Sequence, residues 1–166
     1  MKNFIVLTVL LSFFFGNGQK SKLSSEHYQN VRKAFRQKMQ DNSVAVLFSA
    51  PIRNRSNDVD YIYHQDPNFF YLTGWHQPHS VLMIYKNPQS DSDGIYYEKI
   101  YVPERDDYME MWNGKRYDLE QVKQLGYERV AKRHDFKDDC ANLGSFDKVL
   151  MFEFKNDIRN QKTYVF

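Results

Sequence analysis

The sequence predicts an α/β fold in which one mixed, open β-sheet is flanked by helices. Short apolar, β-branched segments such as SVAVLFS alternate with segments whose apolar residues recur every three or four positions. Turn-forming residues separate these segments. The length of 166 residues and the apolar content of 42% are sufficient for one compact core.

Residues 1–18 have the pattern of a secretory signal peptide. Lys2 precedes the apolar segment FIVLTVLLSFFF, and the small residues Gly16 and Gly18 follow it. This apolar segment is shorter than the roughly 20 residues that a membrane-spanning helix needs. We therefore expect one domain over residues 19–166, with no membrane span, exported to a periplasm or secreted. An N-terminal anchor or a buried strand is the alternative.

The first elements of the expected mature chain are a helix and a buried strand. Residues 25–40 are predicted to form an amphipathic helix with Ser25 as its N-cap. Its apolar stripe consists of Tyr28, Val31, Phe35 and Met39. Residues 43–49 are apolar and β-branched, which is typical of a buried strand.

The segment DPNFFYLTG predicts a helix of two turns. Asp66 is suited to the N-cap and Pro67 to the first helical position, while Gly74 can adopt the left-handed conformation that ends a helix. We expect Phe69, Phe70 and Leu72 to point into the core.

The remaining segments predict a hairpin followed by alternating helices and strands. Residues 80–86 and 95–102 read as antiparallel strands joined by the turn-forming segment NPQSDSDG. Helices are predicted at residues 106–112 and 119–125, each followed by a glycine. A short strand (127–131), a helix closed by Gly144 (134–144) and a final strand (147–154) complete the chain.

Composition and short motifs suggest no chemistry of their own. The formal net charge of +2 does not favour nucleic acid or an anionic membrane as a partner. Cys140 is the only cysteine, so no internal disulfide can form, and the acidic residues beside it do not favour a reactive thiolate. His76 and His79 have a spacing that could suit a metal, but Pro78 lies between them and no third ligand is nearby. The residues alone therefore predict no catalytic site and no metal site.

Several longer motifs resemble the N-terminal domain of the Xaa-Pro aminopeptidases (aminopeptidase P). The resemblance covers residues 31–154, and His64 and Gln77 depart from the usual pattern of the family. The matching motifs are Arg55-Ser56-Asn57-Asp58, Tyr61 through Gly74, Pro78, Pro103-Glu104-Arg105 and Trp112-x-Gly114-x-Arg116.

This resemblance implies a fold of the creatinase/aminopeptidase P N-terminal type. Complete family members carry a second, "pita-bread" domain in which two Asp, one His and two Glu hold two metal ions, usually manganese. That domain hydrolyses the bond between a first residue and a following proline. We expect it to lie outside this chain, so we expect no catalytic residue, metal ligand or bound cofactor here. The implied partners are the catalytic domain or a neighbouring subunit in a homo-oligomer, and a proline-containing peptide.

The resemblance also suggests roles for particular residues. Asp58 and Trp112 would reach an active-site mouth, where a carboxylate can pair with a peptide α-ammonium and an indole can wall a proline-sized pocket; the alternative for Trp112 is a surface-to-core anchor. Structural or interface roles are expected for Arg55, Tyr61, Asp66, Arg105 and Arg116. We expect the three arginines to tie loops through Asp58, Asp60 and Glu104, and Tyr61 and Tyr63 to share one side of an extended segment.

Several functions remain open at this stage. The chain could be the covering domain of an exported manganese-dependent Xaa-Pro aminopeptidase, inert alone. It could instead be a stand-alone binding or oligomerisation module that acts on a partner peptidase, or a remnant without a role. The complete protein could also be a prolidase-like dipeptidase, since prolidases share the same N-terminal fold.

Overall fold

The computed structural model describes residues 23–151, which form a five-stranded sheet with helices on both faces. The predicted mixed, open sheet is confirmed. The predicted signal peptide and the last three residues of the predicted final strand lie outside the described residues. The strands of this sheet are β1 (Ser43–Phe48), β4 (Val81–Asp91), β5 (Gly94–Val102), β6 (Arg129–Lys132) and β7 (Lys148–Met151), in the order β6-β5-β4-β1-β7.

Antiparallel pairs form the centre of the sheet and parallel pairs form its edges. β4 is antiparallel to both β1 and β5. β6 lies parallel to β5, and β7 lies parallel to β1. Residues 103–128, which include two helices, connect β5 to β6 and form the crossover that a parallel pair requires.

Alternating side chains along β1 divide the core between the two faces. Ala45 and Leu47 pack on the face covered by α1 (Ser25–Gln37), α2 (Pro67–Thr73) and α4 (Leu119–Gln124). Val44 and Val46 pack on the other face, against Phe136 of α5 (Phe136–Cys140). Both faces of the sheet are therefore covered, which explains why β1 is apolar throughout.

The β4–β5 hairpin is longer than predicted. The expectation that NPQSDSDG is a turn was wrong, because β4 continues through Pro88 and pairing resumes at Gln89, opposite Tyr96. The register shifts between Ile84 and Gln89, and such an irregularity accommodates a proline, which cannot donate a ladder hydrogen bond. Only residues 92–93 form the turn.

The helix α1 begins at Ser25, as predicted, and ends three residues earlier than predicted. Ser24, rather than Ser25, is its N-cap, since the Ser24 hydroxyl accepts a hydrogen bond from the backbone N–H of His27. Met39 lies beyond the last turn but remains buried. The predicted apolar stripe therefore faces the core even where the helix has ended.

The predicted capping of α2 is confirmed. The Asp66 carboxylate accepts from the N–H of Phe69 at 2.8 Å, and Gly74 ends the helix with φ of +64°. Phe69 is fully buried, whereas Phe70 is only half-buried. The following Trp75 is buried, and its indole N–H donates to the Ser80 hydroxyl at 2.8 Å.

The C-terminal half contains short helices. α3 (Asp107–Asn113) and α4 match their predictions, and Asp118 with Gln121 forms a capping box at α4. The predicted helix 134–144 is instead one turn of α-helix between two 3₁₀ segments, Arg133–Asp135 and Ala141–Ser145. Phe136 is the single buried side chain of α5, so little packing stabilises a longer helix here.

A two-stranded hairpin between β1 and α2 was missed by the sequence reasoning. It consists of β2 (Asn54–Ser56) and β3 (Val59–Asp60), and all of its residues are exposed. Strands this short, without an apolar alternation, give no periodic signal. Within residues 23–151, no helix has the length and apolar content to span a bilayer.

Candidate functional site

The strand register brings most of the singled-out residues to one end of the sheet. β1 ends at Phe48, which pairs with Val81 at the start of β4. β5 ends at Val102, next to Lys132 at the end of β6. Three of the connections at this end, residues 49–66, 74–80 and 103–118, are together called the loop end below. It contains Arg55, Asp58, Tyr61, Asp66, Arg105, Trp112 and Arg116.

Gln65 holds two of these connections together, although the sequence reasoning gave it no role. Its side-chain oxygen accepts from the backbone N–H of Ala50 at 2.8 Å and of Asp66 at 2.9 Å. Its side-chain nitrogen donates to the carbonyl oxygens of Trp75 at 3.1 Å and Gln77 at 3.4 Å. One amide therefore fixes the base of the segment that carries the β2–β3 hairpin.

A second link joins β1 to the residue before β4. The N–H of Ser49 donates to the Ser80 carbonyl at 3.0 Å, and the N–H of Ser80 donates to the Ser49 hydroxyl at 2.8 Å. Both residues are buried. Tyr63 lies near Ser49, and burial raises the pKa of its phenol to about 12. The Tyr63 hydroxyl is buried and has no hydrogen-bond partner among the described residues.

The β2–β3 hairpin presents Asp58 to solvent. The Asn54 side chain donates to the carbonyl of Asn57 at 2.9 Å and to that of Val59 at 3.3 Å, which holds the turn. The Asp58 carboxylate is exposed and has no hydrogen bond or ion pair within the described residues. Tyr61 is 57% exposed while Tyr63 is half-buried, so the two side chains differ in burial, and their sharing of one side stays a prediction.

The helix α3 exposes large apolar side chains. Trp112 and Met111 are each 74% exposed, and Tyr108 is 65% exposed. The reading of Trp112 as a surface-to-core anchor is therefore wrong for this chain, because the indole is mostly in solvent. Tyr117, which follows the helix, is 41% exposed and lies 5.6 Å from Trp75, measured between ring centroids.

An ion pair joins α3 to the residues that precede it. Arg105 donates through Nε and Nη2 to the two carboxylate oxygens of Glu110, each at 2.9 Å. The same carboxylate accepts from the N–H of Arg116 at 3.1 Å. The hydrogen bond from Arg105 is the main cause that lowers the pKa of Glu110. Glu110 therefore links both ends of the connection that carries Trp112.

The partners expected for the three arginines were wrong. Arg105 binds Glu110 and Asp107 rather than Asp58, Asp60 or Glu104. Glu104 instead binds Lys132 at 2.6 Å and lies 3.3 Å from His134. Arg55 is exposed and forms no ion pair among residues 23–151, and Arg116 contributes its backbone N–H to the loop. Only Arg105 ties a loop through carboxylates.

The histidines do not converge on a metal. His76 packs on Phe70 with ring centroids 4.5 Å apart, whereas His79 has φ of +59° and is only partly exposed. Partial burial and the positive charges of Arg116 and Arg133 lower the pKa of His79. In the part of the chain that the structure describes, no group of three or more His, Cys, Asp or Glu could hold a metal ion. These residues do not fit the two-metal centre that the resemblance implies for a complete enzyme.

Comparison with known proteins gives consistent matches. A model of the family described as "Aminopeptidase P, N-terminal domain" matches residues 28–151. The Xaa-Pro aminopeptidase of Haemophilus influenzae is 35% identical over 136 residues, which is 82% of this chain and 28% of the relative. The intermediate cleaving peptidase 55 of Schizosaccharomyces pombe is 38% identical over 95 residues, covering 57% of this chain and 19% of the relative.

Solved structures show the same likeness. Aminopeptidase P of Escherichia coli, determined with the inhibitor Pro-Leu, superposes with a TM-score of 0.70 at 29% identity, covering 82% of this chain and 31% of that one. The Pseudomonas aeruginosa aminopeptidase PepP also gives a TM-score of 0.70 at 29% identity, with 81% and 30% covered. The chain thus spans less than a third of the length of these relatives.

Proposed function

Because this chain belongs to the family of the aminopeptidase P N-terminal domain, we propose that its loop end covers the entrance to an active site on a separate catalytic domain. The parent activity is that of an Xaa-Pro aminopeptidase, the name carried by the relatives from Haemophilus influenzae and Escherichia coli. This chain supplies binding surface, and the hydrolysis belongs to the catalytic domain.

The exposed apolar surface of α3 is the observation that carries this proposal. Large apolar side chains that are exposed together on one part of a surface often mark a binding site. Trp112 and Met111 are each 74% exposed on one short helix, which is held in place by the Arg105–Glu110 pair. A helix that is held in place and exposes large apolar side chains is well suited to a surface that another domain or subunit completes.

The side chains of Asp58 and Trp112 are chemically suited to the first two residues of an Xaa-Pro peptide. The Asp58 carboxylate can accept hydrogen bonds from the α-ammonium group of the first residue. The Trp112 indole offers an apolar face against which a proline ring can pack. Both residues belong to the same end of the sheet, so one substrate entrance could contact both. In a homo-oligomer this entrance could belong to a neighbouring subunit.

Two manganese ions on the catalytic domain would supply the nucleophile, by lowering the pKa of bound water. Among the described residues of this chain, no group of three or more His, Cys, Asp or Glu could hold such an ion. The role proposed for Asp58 and Trp112 is to orient the peptide and to exclude water. Purified alone, the chain is expected to bind no manganese and to be inactive.

We also propose export, on the pattern of residues 1–18 alone. Lys2, the following apolar segment and the small residues before Gln19 support cleavage by a signal peptidase. N-terminal sequencing of the chain secreted by a bacterial host tests this proposal. A mature N-terminus near Gln19 is expected, and retention of Met1 would contradict it.

A chimera tests the proposed role of Asp58. Residues 23–151 replace the matching part of the Haemophilus influenzae enzyme, and hydrolysis of an Xaa-Pro tripeptide is followed with manganese. Asp58→Asn is expected to lower kcat/KM about tenfold, chiefly by raising KM, which corresponds to about 1.4 kcal/mol. Asp93→Asn is the matched control, because Asp93 is exposed in the turn at the opposite end of the sheet. Equal effects of the two variants would contradict the proposed role.

A stand-alone module acting on a partner peptidase is the second candidate function. The exposed surface of α3 supports this as well, since it could equally dock in trans. Adding the free chain to a catalytic domain lacking its own N-terminal part separates the two candidates. Restoration of activity in trans favours the module, whereas activity in the covalent chimera alone favours the covering domain. Hydrolysis of Xaa-Pro dipeptides but not longer peptides would identify a prolidase-like parent instead, and an inactive chimera would favour a remnant.

A further inference from the structure

A cleft on the α1 face of the sheet is lined by charges of both signs. It has a volume of about 410 Å³ and lies between α1, β5 and the loop of residues 126–128. No residue of the loop end lines it, and the cleft is not part of the site described above. Its volume is within the range that binds small molecules in proteins, which is roughly 300–1,000 Å³.

A buried ion pair between Arg32 and Glu98 forms the floor of this cleft. Arg32 is 1% exposed and donates through Nε to Glu98 at 2.6 Å. Its other nitrogens donate to the carbonyl oxygens of Leu72 at 3.3 Å and Gly126 at 2.9 Å. The guanidinium also lies 4.6 Å from the ring centroid of Tyr127. The floor is therefore electrically balanced and rigid.

The rim of the cleft carries two opposite charges, Arg36 and Glu128, that form no ion pair with each other. The guanidinium of Arg36 lies over the ring of Tyr97, 3.7 Å from its centroid. The carboxylate of Glu128 accepts a hydrogen bond from the backbone N–H of Tyr97. Tyr97 thus contacts both groups, yet neither forms an ion pair among residues 23–151. Lys33, one turn before Arg36, is exposed and adds a second positive charge on the α1 side.

We propose that this cleft binds a small zwitterion, either a free amino acid or a short peptide. The carboxylate of the ligand would face Arg36 and Lys33, and its ammonium group would face Glu128. A ligand that is only an anion would be repelled by Glu128, and one that is only a cation would be repelled by Arg36 and Lys33. A zwitterion satisfies both sides, and this inference does not depend on the proposed function of the loop end.

Matched probes test the proposal by NMR on the full chain. Glycylglycine carries both charges, whereas N-acetylglycine carries only the carboxylate and glycinamide only the ammonium. Amide signals of Tyr97 and Glu128 are followed during each titration. Glycylglycine is expected to saturate, with a dissociation constant in the millimolar range. Each half-analogue is expected to bind about 1.4-fold to fivefold more weakly, because an exposed charge pair contributes about 0.2–1 kcal/mol.

Substitutions assign the two halves of the ligand. Arg36→Gln is expected to reduce the affinity for glycylglycine towards that for glycinamide, with Lys33 still facing the carboxylate, and Arg36→Lys to restore most of it. Glu128→Gln keeps an acceptor for Tyr97 and is expected to reduce the affinity to that for N-acetylglycine. Lys137→Gln is the control, since Lys137 is an exposed lysine on α5, on the other face of the sheet. The unchanged spectrum away from the cleft shows that each variant is folded.

Three outcomes would overturn the proposal. One is the absence of saturable shifts with glycylglycine. Another is an equal affinity for the three probes, and the third is an equal loss of affinity in the Lys137 control. A direct ion pair between Arg36 and Glu128 in solution would produce the first outcome, because no unpaired carboxylate would then remain for the ammonium group of a ligand.

Discussion

Loss of the buried partner of Arg32 should strongly destabilise the fold. Arg32 is 1% exposed, and Glu98, its ion-pair partner, is 7% exposed. The two lie 66 positions apart in sequence and join α1 to β5 across the core. Glu98→Ala would leave the guanidinium buried, with its two carbonyl acceptors but without a counter-charge.

The expected loss in the free energy of unfolding is about 3–5 kcal/mol. This is the usual cost of removing one partner of a buried ion pair, since the remaining charge stays desolvated. The total stability of a domain is only about 5–15 kcal/mol. With an m-value of about 2 kcal/mol/M, the urea midpoint should fall by about 1.5–2.5 M. The surface pair of Glu120 and Lys123, 3.5 Å apart, is exposed on both sides, and Glu120→Ala should cost less than about 1 kcal/mol.

Urea unfolding followed by circular dichroism measures these differences. The double variant Arg32→Met with Glu98→Leu provides a further check, because it removes both charges at once. Its loss should be smaller than the sum of the losses in Arg32→Met and Glu98→Leu, by about 1–3 kcal/mol. A loss below about 1 kcal/mol in Glu98→Ala, or additive losses in the double variant, would refute the view that this pair is a desolvated, coupled unit.

Three further predictions concern single side chains. The hydrogen bond from Arg105 holds the pKa of Glu110 below its ordinary value of 4.5. The stability that this pair contributes is therefore present above pH 4.5 and is lost as the pH falls through the lowered pKa. Acid unfolding of Glu110→Gln should be less steep than that of the wild type, and equal slopes would contradict this. Gly74→Ala should destabilise the chain by about 1–3 kcal/mol, because the φ of Gly74 is +64° and an added Cβ would lie 2.5 Å from the Tyr28 ring. An unchanged midpoint of thermal unfolding would be inconsistent with this geometry. Trp112→Ala should change the free energy of unfolding of the isolated chain by less than about 0.5 kcal/mol, because the side chain is 74% exposed. A larger loss of stability would mean that the indole is packed against the core.

The sequence predicted elements whose signals are local. Asp66, Pro67 and Gly74 each act within one helical turn, so the capping of α2 could be predicted without knowledge of the tertiary structure. The apolar segments of β1 and β5 were also recognisable, because burial on both faces or pairing in a hairpin leaves a clear pattern. The length of β4 was not, since a register shift that accommodates Pro88 depends on its partner strand.

The residues of the candidate site were predictable only in part. Motif resemblance indicated Asp58 and Trp112, and the structure places both at the loop end and exposes both. The partner of Arg105 was missed because Glu110 lies five positions away on a helix whose rotation the sequence does not define. The role of Gln65 was missed for a similar reason, since its four hydrogen bonds reach residues up to 15 positions away.

The kinetic effect of Trp112→Ala in the active chimera shows whether the loop end faces the substrate. If the loop end covers the substrate entrance, loss of this indole should lower kcat/KM for an Xaa-Pro tripeptide about thirtyfold, or about 2 kcal/mol, with most of the change in KM. Tyr71→Ala removes another exposed aromatic side chain, 63% exposed on α2 and outside the loop end, and should leave kcat/KM within about twofold. If Trp112→Ala has no larger effect than Tyr71→Ala, the loop end does not face the substrate and the account is contradicted.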